Sequence, residues 1–235
     1  MKEKKPVPTT DQNQTDMHKK KQLVILAVFL VAAIAFLAIA QFKDNKVEGS
    51  ADTQSVPEAT YIQKATGKYS SGTHHAIIHV KDHGDIEVEL NAAVAPITVS
   101  NFCNLAENHF YNNLTFHRII PGFMIQGGDP NGDGTGGGKQ TIKGEFAANG
   151  VTNSISHQRG VISMARSQDF NSASSQFFIM QEDDPSLDGN YAAFGHVVKG
   201  MDVVDRICED NRPSDESGLI PRDKQPIIES IEIID

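Results

Sequence analysis

The chain has 235 residues, 39% hydrophobic and 22% charged, an ordinary balance with enough apolar material for a real core. Its net charge of −9 is uneven: residues 1–22 carry six Lys against Glu3, Asp11 and Asp16, which leaves the rest strongly acidic. An acidic body excludes a nucleic-acid binder or docking on anionic lipid, and two cysteines, Cys103 and Cys208, exclude a disulfide framework.

Residues 1–22 show no hydrophobic periodicity and read as a disordered cytoplasmic tail. Leu23 to Ala40 then form an unbroken apolar run behind Lys19-Lys20-Lys21. At ~1.5 Å of rise per residue such a helix spans roughly 27 Å, close to the thickness of a bilayer core. A transmembrane signal-anchor helix is expected over 23–42. The excess of Lys before it places the N-terminus in the cytoplasm and the body beyond the membrane. Ala38-Ile39-Ala40 also fits a cleavage site before Gln41, which would secrete the body instead. Residues 43–73 are polar and read as a flexible linker, leaving 74–235 as the folded domain.

Within the domain, His74–Val80 and Asp85–Leu90 alternate about a Lys81–Gly84 turn, which predicts a β-hairpin. Pro96 opens a predicted helix reaching about Asn108. Short strands are expected at Leu114–Ile120, Phe123–Gly127, Gly160–Ala165, Gln176–Met180 and Ala192–Val198. A second helix at Met201–Cys208 precedes a last strand, Ile227–Ile234. Many short strands with two helices point to a mainly β barrel or sandwich. Each cysteine lies on an apolar helical face, Val99-Phe102-Cys103-Ala106 or Val204-Ile207-Cys208. Two core thiols, or a single disulfide, both fit that pattern.

The chemistry concentrates in Phe116–Asp129, FHRIIPGFMIQGGD. Alternation would send Phe116 and Arg118 to one face. Burying Arg118 is costly without an acid, and the run holds none before Asp129. Arg118 with Phe123 and Met124 suits an apolar slot with a donor at its rim. Proline fits such a slot, and a donor aimed at the prolyl nitrogen would favour the twisted amide.

This run resembles the signature of the cyclophilins, and other motifs keep that family's order: GDIEVEL (84–90), AP-x₄-NF (95–102), GxISMA (160–165), SSQFFI (174–179) and LDGNYAAFGHVVKGMDVVD (187–205). The resemblance spans nearly all of 74–235. It implies a closed eight-stranded antiparallel barrel capped by two helices and a peptidyl-prolyl cis–trans isomerase needing no cofactor and no metal. It implies Arg118 as catalytic donor and Gln126 as holder of the substrate carbonyl. Phe123, Met124, Phe178 and Leu187 would line the proline pocket, with His117 and Ala165 at its edge, Gln176 beside it and Tyr191 where the family commonly has His. Ser186 stands where many members carry the Trp tied to cyclosporin, so cyclosporin binding is expected to be weak. Arg166 replaces a common Asn. The implied partners are proline-containing, unfolded or exported polypeptides. A non-catalytic proline-binding module is the rival reading.

Other patterns are weaker. Asp129-x-Asn131-x-Asp133-Gly134 matches half of a calcium loop, but Gln140 stands where its last Glu belongs. His74, His75, His79 and His83 lack a completing ligand and read as surface or sheet residues. Ser163 and Ser175 lack any nucleophile-elbow pattern, which argues against hydrolysis.

Overall fold

The first hairpin shows the logic of the whole sheet. In the computed structural model, which describes residues 61–213 and 215–235, β1 (Thr73–Val80) and β2 (Gly84–Asn91) pair antiparallel. Asp82 takes a left-handed φ of 62° in the turn between them, a conformation that Asp tolerates better than most residues. Ala76, Ile78 and Val80 alternate inward on β1, as do Ile86, Val88 and Leu90 on β2. One buried face with one wet face is the expected signature of an antiparallel sheet over a single core.

The remaining strands are β3 (Leu114–Ile120), β4 (Met124–Gly127), β5 (Val161–Met164), β6 (Phe177–Met180), β7 (Ala193–Lys199) and β8 (Ile227–Ile233). They close the barrel in the order β1-β2-β7-β5-β6-β4-β3-β8, with every pairing antiparallel. Two α-helices stand among the described residues, α1 (Pro96–Glu107) and α2 (Met201–Asp210), and both add side chains to the barrel core. Phe177 sits amid the core aromatics, edge-on to Phe102 at 5.5 Å, Tyr111 at 5.7 Å and Phe116 at 6.1 Å.

Helix α1 starts without a cap of its own, because Ala95 has no side-chain acceptor. Glu145, far along the chain, takes that place. Its carboxylate accepts from the N–H of Ile97 (3.0 Å), the N–H of Thr98 (2.8 Å) and the hydroxyl of Thr98 (2.7 Å). A carboxylate at a helix N-terminus also faces the positive end of the helix dipole.

Cys103 and Cys208 are free, buried on separate helices, and burial pushes each thiol up to about 12. They are inert core thiols. The histidines of β1 meet carboxylates: Nδ1 of His79 lies 2.8 Å from Asp85, and His74 bonds Asp235.

The structure departs from the sequence reading before His74. Residues 61–73, expected as the end of the linker, pack on the domain. Ile62 donates to the carbonyl of Thr141 and accepts from Lys143, both at 2.9 Å, in a parallel bridge, and Tyr69 is buried against His74. Composition had hidden this, since the apolar anchors Ile62, Ala65 and Tyr69 are scattered through a polar stretch. The expected tail at 1–22, the membrane span at 23–42 and the linker up to 60 lie outside the described residues. Among the described residues no helix is long and apolar enough to cross a membrane.

Candidate active site

Two strands break the alternation rule and thereby mark the site. β5 (VISM) and β6 (FFIM) are buried on both faces. Ile162, Met164, Phe177 and Ile179 belong to the barrel core, whereas Val161, Phe178 and Met180 join a second apolar cluster on the outer face. That second cluster also holds Phe123, Met124, Leu187 and Ala193, with Ala165 and Tyr191 packed against it. The outer wall of β4-β6-β5 is therefore lined by an apolar cluster of its own, separate from the barrel core.

Arg118 reaches this wall because of a bulge. Phe116 pairs with Gly127 but Arg118 pairs with Gln126, so β3 spends one extra residue, His117, opposite a single step of β4. A bulge re-aims the side chains that follow it. Phe116 consequently enters the barrel core, while Arg118 turns outward, half-buried, with Gln126 as its neighbour. The expectation that Phe116 and Arg118 share a face is corrected here: simple alternation does not survive an inserted residue.

Register then lines up one cross-strand row, Arg118–Gln126–Phe178–Ser163–Ala193, over five strands. Directly opposed residues on neighbouring strands have Cβ atoms only about 4.5–5.5 Å apart, so the row is continuous across the sheet, although Ser163 and Ala193 at its far end are buried. Its polar end is a hydrogen-bond chain. Arg118 donates Nε–H to the carbonyl of Ser217 (2.9 Å) and Nη1–H to Oε1 of Gln126 (3.1 Å). Gln126 Nε2 donates to Oε1 of Gln176 (2.8 Å), whose Nε2 donates to the carbonyls of Gly136 (2.7 Å) and Gly134 (3.1 Å). The guanidinium has five N–H donors, so these bonds orient it without exhausting it. No carboxylate pairs with Arg118 among the described residues, and burial draws its pKa down to about 10, which still leaves it cationic at neutral pH.

The brace on Arg118 was not visible in the sequence. Residues 217–220 run antiparallel to β3, with Ile119 donating to Gly218 (2.8 Å) and Ile220 donating to His117 (2.9 Å). Gly218, at φ 79°, has no room for a side chain: a Cβ there would lie 2.5 Å from Ile120. No local pattern distinguishes this stretch from an ordinary polar loop.

Behind the apolar end stands a second element that the sequence reading missed. His157 stacks on Phe178 with ring centres 6.0 Å apart at 17°, and Tyr191 meets Phe178 edge-on at 5.9 Å. His157 is held by Asp188 at 2.8 Å through Nδ1 and by the Ser163 hydroxyl at 3.0 Å through Nε2. The Ser–His–Asp order mimics a hydrolase triad, but Ser163 is fully buried and cannot meet a substrate. The group is a buttress for the Phe178 wall.

Of the ten residues singled out from sequence, the structure gathers Phe123, Met124, Phe178, Leu187, Ala165 and Tyr191 on the apolar cluster, and Arg118, Gln126 and Gln176 on the polar chain. His117 goes elsewhere. It occupies the bulge, fully buried beside the Asp129–Gly134 loop, and neither ring nitrogen finds a hydrogen-bond partner among the described residues. The carboxylate of Asp129 organises that loop by accepting from the N–H groups of Asn131 (2.8 Å), Asp133 (3.1 Å) and Gly134 (2.6 Å). Its acceptors are thus turned on its own backbone. Among the described residues no three His, Cys, Asp or Glu side chains gather as a metal would require.

Burial holds His117 and His157 below the ordinary histidine range, against the pull of Asp129 on the first and Asp188 on the second. A depressed pKa means that the unfolded chain binds these protons more readily than the folded one. Stability should therefore fall as pH drops through and below about 6.5. Urea titrations at pH 7.5 and 5.5 should show that loss, with a shallower pH slope in His157→Gln than in the wild type. Equal slopes would remove His157 from the account.

Comparison with known proteins agrees with this geometry. Residues 75–233 match the family model described as cyclophilin type peptidyl-prolyl cis-trans isomerase/CLD. The chain is similar to peptidyl-prolyl cis-trans isomerase B of Bacillus subtilis, with 46% identity over 125 residues, covering 53% of this chain and 84% of the relative. It is 42% identical over 156 residues to a peptidyl-prolyl cis-trans isomerase of Acinetobacter baylyi, covering 61% of this chain and 77% of that one. A crystal structure of a cyclophilin type peptidyl-prolyl cis-trans isomerase from Cryptosporidium parvum superposes with a TM-score of 0.62 at 31% identity, covering 70% of this chain and 99% of that one. The same protein solved in the presence of the dipeptide Ala-Pro gives 0.60 at 33% identity, covering 68% and 99%.

Proposed function

The chain belongs to the cyclophilin-type peptidyl-prolyl cis–trans isomerases, and from that premise we propose how its pocket turns the bond and on which chains it works. The X–Pro amide resists rotation by ~18–20 kcal/mol because resonance couples the nitrogen lone pair to the carbonyl. Twisting the bond breaks that coupling and leaves the lone pair on nitrogen. Arg118 is the donor that meets it there, Gln126 holds the substrate carbonyl with Gln176 behind it, and the proline ring sits on Phe123, Met124, Phe178 and Leu187. Ala165 and Tyr191 complete the rim, and no covalent intermediate forms. The relative solved in the presence of the dipeptide Ala-Pro supports a proline-bearing guest.

An acceleration of ~10⁵ would require about 7 kcal/mol of differential stabilisation. One oriented charged donor supplies about 3–4 kcal/mol of that, and the remainder falls to Gln126, the apolar wall and the water they exclude from the rotating amide. The observation that carries the reading is Arg118: a cation with no carboxylate partner among the described residues, braced on two atoms, beside an outer apolar cluster. A peptide-exchange assay on a 61–235 fragment tests it, and absence of any acceleration would leave only the binding-module reading.

The clients follow from the N-terminal segment. A Lys-rich tail, an apolar run over 23–40 and a polar linker fit a single-pass anchor that holds the catalytic domain outside the cytoplasm, or secretion after cleavage at Ala40. Chains arriving unfolded there are slowed by prolyl steps of ~10–100 s. N-terminal sequencing of the mature protein separates anchor from cleavage.

Cyclosporin binding should be weak. Ser186 is exposed in the 3₁₀ turn Pro185–Leu187 and bonds only locally, to Asp184. Ser186→Trp would place an aromatic ring beside Leu187. It is expected to raise cyclosporin affinity about tenfold or more, given the 150–250 Å² that a buried Trp contributes. Calorimetry showing no gain would move the cause of weak binding elsewhere in the pocket.

A further inference from the structure

Arg166 is the pocket's second cation. Its guanidinium carbon lies 4.8 Å from the ring centre of Tyr191 and 5.0 Å from those of Phe146 and Phe170. Nε and Nη2 donate to the carbonyl of Asn190 at 3.0 and 2.8 Å, and Nη1 donates to the carbonyl of Ser167 at 2.8 Å. Three bonds to neutral carbonyls fix the group in place but do not neutralise it, and they leave N–H donors over. Among the described residues no carboxylate pairs with it. Of the acids near it or its Asn190 partner in sequence, Asp169 accepts from the N–H of Asn171 and Asp188 from Ser156, with His157 at 2.8 Å. The position is at the pocket's rim, since the adjoining Ala165 and the contacted Tyr191 both pack on the apolar cluster.

A half-buried, immobilised and unneutralised guanidinium differs from a solvated surface arginine in two respects. It pays little further side-chain entropy to meet an anion, and its aromatic surroundings exclude part of the water that would screen it. Resting on the isomerase reading above, we propose that Arg166 is a specificity-determining residue that selects substrates with an acidic side chain flanking the proline. The guest is an Asp- or Glu-bearing X–Pro segment, with its carboxylate on Arg166 while its proline occupies the pocket.

The test uses the full chain and peptides identical except for Glu, Gln or Lys at each position flanking the proline, with kcat/KM read by cis–trans exchange. At one flanking position Glu should exceed Gln by about threefold to fivefold, the scale of a partly exposed ion pair. Lys should fall below Gln there. The spread should collapse in 1 M salt, where the screening length is only about 3 Å. Arg166→Gln should equalise the Glu and Gln peptides, and Arg166→Lys should retain part of the preference. Equal rates for Glu, Gln and Lys at every position in the wild type would overturn the proposal, even if the variants fail to fold. A Glu preference that survives Arg166→Gln would overturn it as well, assigning the effect to Arg118. No acceleration of any Gln peptide by the wild type would instead sink the isomerase reading, and this proposal with it.

Discussion

Replacing Arg118 by Ala is expected to reduce kcat/KM for a short X–Pro peptide on the order of 10²–10³-fold, the usual cost of deleting one transition-state donor. The fold should survive, because Arg118 sits outside the barrel core and its loss orphans only the Ser217 carbonyl and one Gln126 acceptor. Both residues are only partly buried. The urea midpoint should move little. Arg118→Lys should recover only a fraction of the activity. An ammonium carries the charge but cannot bond Ser217 and Gln126 at once while presenting a further planar N–H to the prolyl nitrogen. The two variants thus separate charge from orientation. Wild-type activity in Arg118→Ala would refute the donor role and move the catalysis to the pocket wall.

The second large effect is one of stability and lies far from the chemistry. Glu145→Ala should cost about 3–4 kcal/mol in urea unfolding, since three buried donors of Pro96–Glu107 lose their acceptor together. Burial raises the Glu145 pKa more than its hydrogen bonds lower it, so the ionised form is held at a net cost in the folded state. Glu145→Gln sheds that cost while keeping one acceptor, and should lose only about 1 kcal/mol. The sign for pH follows. A carboxyl whose folded pKa is raised binds protons more readily when folded, so its contribution to stability falls as pH rises through the window just above about 4.3. Equal losses in the Ala and Gln variants would show that packing, and not acceptor loss, governs the site.

These variants probe two kinds of information. The eight strands and two helices were legible locally, because a half-buried strand needs alternation and an amphipathic helix needs its own period. His74–Val80 and Asp85–Leu90 show the first, and Met201–Cys208 the second. Phe123, Met124, Phe178 and Leu187 were singled out only through the joint order of motifs, and the structure gathers them in one apolar cluster. Phe178 or Leu187 taken alone is indistinguishable from a core residue, and both are indeed buried.

What stayed hidden depends on atoms distant along the chain. No local signal announces that Glu145 caps a helix begun at Pro96, that the carbonyl of Ser217 steers Arg118, or that His157 and Asp188 stand behind Phe178. A hydrogen bond across the fold leaves no periodicity in either partner's neighbourhood. The packing of 61–73 escaped for a related reason, since Ile62 and Tyr69 are too sparse to form a pattern.

The sequence by itself determined the strands and helices of the described domain and the family, because periodicity and motif order are properties of the chain alone. Only the tertiary structure decided which way the key residues point. Phe116 and Arg118 lie two positions apart on one strand, and alternation would put them together. The partner strand β4 supplies one step where β3 supplies two, and that mismatch of register turns Phe116 into the core and Arg118 out to the pocket. A bulge is a relation between two strands, so neither strand's sequence contains it.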